Sequence, residues 1–109
     1  MIQLRGHTAL ITGGTQGVGR AIAIALATAG ADVVIHGYQL DDHSEETRTA
    51  CEKHGVKVSL IDGDLSGPTI DSVSRLFQRS IAVAPSIDIL VNNAGTYIDK
   101  PFLEMDFET

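Results

Sequence analysis

The sequence has 109 residues, 43% of them hydrophobic and 20% charged, and its 8 Lys plus Arg against 14 Asp plus Glu give a formal charge of −6. That length holds one domain with one modest core and leaves no room for a separate substrate domain, while the composition excludes wholesale disorder. The acidic balance without a basic cluster excludes nucleic acid and anionic membrane as partners, and with no apolar run near a span's roughly 18 residues and no signal-peptide h-region, the expected compartment is the cytoplasm.

Short apolar runs alternate with longer stretches of helical spacing. Residues 7–12 are the first predicted strand, and TGGTQGVG follows at 12–19 with four glycines in eight positions. A helix is predicted over 18–29, with Val18, Ile22, Ala25, Leu26 and Ala29 as its buried stripe and Gly30 as its stop. Residues 32–36 are the second strand. Ser44 as N-cap, with Glu45 and Glu46 in the first turn, opens a second helix that Gly55 closes after His54, and its polar middle predicts light packing. The single Cys51 lies in it, without a disulfide or CxxC partner, and reads as a small apolar helix residue. Residues 57–62 form a third strand. A third helix over 69–84 is expected to turn Ile70, Val73, Phe77 and Ile81 to the core, and a fourth strand spans 87–91, ending at Asn92-Asn93.

Strand, helix, strand, repeated with short connections, predicts an α/β fold: a doubly wound, Rossmann-like parallel sheet of about four strands and three helices. The strands are nearly uniform apolar runs, as a sheet covered on both faces requires. In such sheets ligands sit at the carboxyl ends of the strands, where the order reverses. Residues 12–19, 36–38, 62–64 and 92–95 all fall at such ends and converge on one crevice.

A loop that turns from a strand into a helix N-terminus aims free N–H groups and the positive end of the helix dipole at one spot, which suits phosphate. The triphosphate loop G-x-x-x-x-G-K-[ST] is matched only from Gly14 to Gly19, because Arg20-Ala21 follows where the Lys and the Mg²⁺ hydroxyl belong. The G-x-G-x-x-G fingerprint is absent too, since the spacing is Gly13-x-x-x-Gly17-x-Gly19.

Thr12-Gly13-x-x-x-Gly17-Val18-Gly19, Asp64-Leu65 after the third strand and Asn92-Asn93-Ala94-Gly95 after the fourth, in that order, resemble the short-chain dehydrogenase/reductase family, which uses NAD(H) or NADP(H). The resemblance runs along the whole chain. It implies that Gly13, Gly17 and Gly19 shape a pyrophosphate loop, with Val18 offering its backbone amide and Thr15 and Gln16 beside the adenosine ribose. It also implies that Asp64 bonds the adenine amino group with Leu65 packed nearby, and that Asn92, Ala94 and Gly95 stabilise the sheet and approach the cofactor's ribose. The cofactor's 2′ position is read at the end of the second strand, where a carboxylate rejects a 2′-phosphate and a cation accepts it. Here Gly37 stands at that carboxylate's position, followed by Tyr38-Gln39. Arg20 and a protonated His36 are candidate cations, Asp41 and Asp42 argue the other way, and the expectation leans to NADP.

The family's hydride transfer depends on a Tyr-x-x-x-Lys pair, with the Tyr as general acid or base. Four residues after Tyr38 stands Asp42, four after Tyr97 stands Pro101, and Lys100 is out of register, so no catalytic residue is assigned. His7, His36, His43 and His54 show no metal-ligand spacing and read as surface or packing histidines. Asp106 and Glu108 look like the opening of a further helix, which predicts that residues 1–109 are the dinucleotide-binding domain, the N-terminal part of a longer reductase. The expected partners are the dinucleotide and, in the full-length form, a small alcohol or carbonyl compound, with a homo-oligomer allowed. A second reading is a non-catalytic nucleotide-binding or regulatory module that pairs with a full-length subunit. A third, another Rossmann-like protein such as a methyltransferase, is disfavoured by residues 92–95.

Overall fold

The computed structural model describes residues 3–63, 69–84 and 86–93. The elements are β1 (Thr8–Thr12), α1 (Gly17–Thr28), β2 (Asp32–Gly37), α2 (Asp42–Glu52), β3 (Val58–Asp62), α3 (Thr69–Val83) and β4 (Ile89–Asn92). All four strands are parallel, in the order β3-β2-β1-β4. The chain steps from β1 outward to β3 and then returns to the far side of β1, so the order reverses between β1 and β4. The expected Rossmann-like sheet is present.

Alternation along the strands divides the core in two. Ala9, Ile11, Val33 and Ile35 face α1 and α2, where they pack with Ala23, Ala27 and Cys51. Leu10, Val34 and Ile61 face the other way, toward Leu76 of α3 with Ala84 and Ile87. In-register pairs such as Leu10 with Val34 and with Leu90 hold three strands level, so their carboxyl ends form one rim. At the opposite rim the Asp88 carboxylate accepts the Thr8 N–H at 2.8 Å and lies 2.7 Å from His7 Nδ1, fixing the entry of β4 against β1.

Each predicted element is found, with ends displaced by no more than two residues except at the start of α2, which begins three residues earlier, and the main differences lie in which faces are covered. In α1 the buried positions are Gly19, Ala23 and Ala27, whereas Val18 is 69% exposed and Ala25 is also exposed. Small residues four apart let the helix axis approach the sheet, and the larger Ile22, Ile24 and Leu26 flank that line. In α2 the cap is Asp41, not Ser44. Its carboxylate accepts the Ser44 N–H at 3.2 Å while the Ser44 hydroxyl accepts the Asp41 N–H at 3.0 Å, a reciprocal box. The helix is also not lightly packed, because Ser44, Thr47 and Cys51 are wholly buried on its inner face.

The largest departure is α3. Ile70 is 82% exposed, and Val73, Phe77 and Ile81 are exposed as well, while Ser72 and Ser80 are the buried positions and Leu76 is half-buried. The apolar stripe exists, yet the described part of the chain does not cover it. Among the described residues, no helix is long and apolar enough to cross a membrane.

Candidate functional site

The glycine loop is held from three directions. Gly13 takes φ 63° and Gly17 φ 61°, the left-handed region that side chains disfavour. From β2, the His36 carbonyl accepts the Gly14 N–H at 2.8 Å and His36 Nδ1 accepts the Gly13 N–H at 3.2 Å. From α2, the buried Thr47 hydroxyl lies 2.7 Å from the Thr15 carbonyl and 2.9 Å from that of His43, sharing its one proton between them. From the end of β4, Asn93 Nδ2 donates to the Gly13 carbonyl at 3.1 Å, and the Asn93 N–H donates to Thr12 Oγ1 at 2.9 Å. Gly19 closes the arrangement: a Cβ there would stand 2.1 Å from the Gly13 carbonyl oxygen, so helix and loop meet backbone to backbone.

Two of the helix N-termini at this rim, those of α1 and α2, are finished differently. Gln16 caps α1 with extended backbone and no side-chain hydrogen bond, and the first turn of α1 carries no acid. Its positive end is left for an anion from outside. By contrast, α2 is closed by the Asp41 carboxylate, with Asp42 and Glu45 also in its first turn. One helix at this rim is prepared for an anion and the other supplies its own.

Residues 7–109 match the family described as short chain dehydrogenase. The chain belongs to that family. It is 44% identical over 104 residues to an uncharacterized oxidoreductase, YhxC, of Bacillus subtilis, an alignment covering 94% of this chain and 35% of YhxC. It is 39% identical over 104 residues to 3-oxoacyl-[acyl-carrier-protein] reductase FabG of Aquifex aeolicus, covering 95% of this chain and 41% of the other. The crystal structure of a 3-oxoacyl (acyl-carrier-protein) reductase from Agrobacterium tumefaciens with NADP bound superimposes with a TM-score of 0.80 at 36% identity, over 97% of this chain and 40% of that one. The chain thus spans about two fifths of the length of such relatives.

In this short chain dehydrogenase chain the sequence-derived site residues fall as follows. Gly13, Thr15, Gln16, Gly17, Val18 and Gly19 lie together on the loop, with Thr15 and Gly19 buried and Gln16, Gly17 and Val18 open to solvent. Gly37 is buried beside them and Tyr38 is exposed at the mouth. Asn92 ends β4 opposite Thr12, whose hydroxyl lies 3.4 Å from Asn92 Oδ1. Asp64, Leu65, Ala94 and Gly95 lie outside the described residues, as do Tyr97 and Lys100.

At position 37 a Cβ would stand 2.6 Å from Thr15 Cγ2, so any side chain there requires Thr15 to shift. The cation role considered for His36 requires a proton on Nδ1, which in this geometry faces the Gly13 N–H at 3.2 Å. The Arg20 guanidinium is 3.4 Å from Glu46 on α2. At the end of β3, Arg79 donates to the Asp62 carboxylate at 2.7 Å and holds it below the usual carboxylate range. Burial pushes the Cys51 thiol upward, which leaves it an inert packing group as its sequence context implied. No group of three or more His, Cys, Asp or Glu side chains that could hold a metal ion occurs among the described residues.

Sequence reasoning passed over Thr47 and gave the other holding residues different parts: Gly14 only in the partial match to the triphosphate loop, His36 as a candidate cation, and Asn93 as a member of the 92–95 motif.

Proposed function

We propose that this chain supplies the cofactor half of an NAD(P)-dependent oxidoreductase that exchanges a hydride with an alcohol or carbonyl compound. The observation that carries this reading is the N-terminus of α1, uncapped and free of acids behind a loop whose closure at Gly19 admits no side chain. A dinucleotide pyrophosphate supplies the anion that this end lacks. Gly13, Gly17 and Gly19 shape its cradle, Val18 offers an amide, and Thr15 and Gln16 lie toward the adenosine ribose. Gly37 and Tyr38 border the 2′ position, Asp64 and Leu65 hold the adenine, and Asn92, Ala94 and Gly95 approach the ribose from β4. The bound dinucleotide supplies the hydride chemistry, while these residues orient it.

NADP(H) is favoured over NAD(H), because Gly37 brings no carboxylate to the 2′ position. With no Tyr-x-x-x-Lys pair in its 109 residues, the chain by itself binds cofactor without turnover. The domain assignment is the same proposal in structural terms: residues 1–109 form the dinucleotide-binding part. Thermal melting with NADPH, NADH, 2′,5′-ADP and AMP tests the reading. A rise in melting temperature with NADPH and 2′,5′-ADP that exceeds the rise with NADH and AMP is expected, whereas no shift with any of the four contradicts it.

A further inference from the structure

The His36 ring stands at the end of β2 with only 3% of the residue's surface exposed. Each of its nitrogens meets a partner that can play one part only. A backbone N–H donates, so Nδ1, 3.2 Å from the Gly13 nitrogen, accepts. A carbonyl accepts, so Nε2, 2.8 Å from the Gly63 oxygen, carries the proton. The partners therefore fix the neutral Nε2–H tautomer. The backbone of the same stretch adds two links, the Gly14 N–H to the His36 carbonyl at 2.8 Å and the Gly63 N–H to the Gly37 carbonyl at 3.1 Å. One residue thus joins the start of the glycine loop to the exit of β3.

The Gly13 amide is held by His36 and the Gly13 carbonyl by Asn93, so both peptide planes around this left-handed residue are fixed. Their orientation sets how the chain enters α1 and where the uncapped amides of its first turn point. We propose that His36 is a positioning residue for the anion site: as the neutral Nε2–H ring it clasps Gly13 and Gly63 and holds the loop in its phosphate-binding shape. This rests on the reading of the rim as a dinucleotide site. A protonated ring has no lone pair for the Gly13 amide, so the clasp and a cationic His36 exclude one another.

Substitutions separate the two bonds. In His36→Asn the amide oxygen falls where Nδ1 was and can still accept from Gly13, whereas His36→Gln reaches the Nε2 position and His36→Phe reaches neither. On the 109-residue chain, ¹⁵N NMR of the imidazole is expected to show a bare Nδ1, a protonated Nε2 and scalar coupling from the Gly13 amide to Nδ1. A proton on Nδ1, or averaging between tautomers, overturns the proposal. In NADPH titrations His36→Asn is expected to bind within about threefold of wild type, and His36→Gln and His36→Phe roughly tenfold more weakly, having left a partly buried amide without its acceptor. Equal NADPH affinity in a folded His36→Gln or His36→Phe chain overturns it. Should those variants not fold, the wild-type NMR decides. Should the wild type bind neither NADPH nor NADH, the dinucleotide reading fails instead, and the clasp is judged by the NMR and by Gly13 amide exchange, which must be faster in His36→Gln than in wild type.

Discussion

A methyl group added at Gly19 would sit 2.1 Å from the Gly13 carbonyl oxygen and 2.6 Å from Asn93 Nδ2, and although the Asn93 side chain can swing aside, the Gly13 backbone cannot. At Gly17 the surroundings are open, and the difficulty is its φ of 61°. The two glycines of one motif are therefore required for different reasons, overlap at one and backbone strain at the other. Gly19→Ala is expected to lower stability by about 1–3 kcal/mol through forced displacement of the loop. Gly17→Ala is expected to cost about 1–2 kcal/mol for an L-residue in the left-handed region. Urea unfolding measures both, and only Gly19→Ala should also perturb the NMR signals of Gly13 and Asn93. The glycine spacing was legible in the sequence because a strand-to-helix turn against a ligand constrains neighbouring positions. His36 was not, because its partners stand 23 and 27 residues away and a histidine that serves backbone groups leaves no local pattern.

Among the elements, the strands were the most legible, since β-branched apolar runs covered on both faces have few other solutions. The helix faces were read less well, for a physical reason that α1 and α3 share. Periodicity locates an apolar stripe but says nothing of what covers it. In α1 the closest approach belongs to Gly19, Ala23 and Ala27, because small residues admit the sheet and the bulkier Ile24 and Leu26 cannot. In α2 the buried face is Ser44, Thr47 and Cys51, too polar for a hydrophobic pattern to reveal. Two carboxylates join elements at opposite rims. Asp88 is held below the usual carboxylate range first by the Thr8 N–H and then by His7, and Asp62 first by its hydrogen bond from Arg79. A carboxyl whose folded-state pKa is depressed stabilises the fold fully above its unfolded value near 4, and that contribution disappears as pH falls from there through the lower folded value. These two contributions should therefore be lost as the pH falls below about 4. Asp88→Asn keeps an acceptor for Thr8 but removes the titration, so its melting temperature should fall less steeply over that acid range. An unchanged acid limb would show that this anchor contributes nothing.

At the scale of the molecule, the described sheet ends at β4, whose Leu90 is 67% exposed, and the apolar stripe of α3 is uncovered. Unpaired strand edges and contiguous apolar surface favour association. The 109-residue chain is expected to self-associate with rising concentration in sedimentation velocity. A Val73→Glu, Phe77→Glu double variant is expected to raise the monomer fraction, and a wild-type chain monomeric at every concentration would contradict this. The same geometry places the glycine loop at the one point where the strand order reverses, so the fold and the candidate site make a single argument. Nicotinamide fluorescence during titration of the chain with NADPH tests that argument most directly. Saturable one-to-one binding, tighter than for NADH and weakened by Gly19→Ala, is the result the account predicts. Failure of the folded chain to bind either dinucleotide would contradict it.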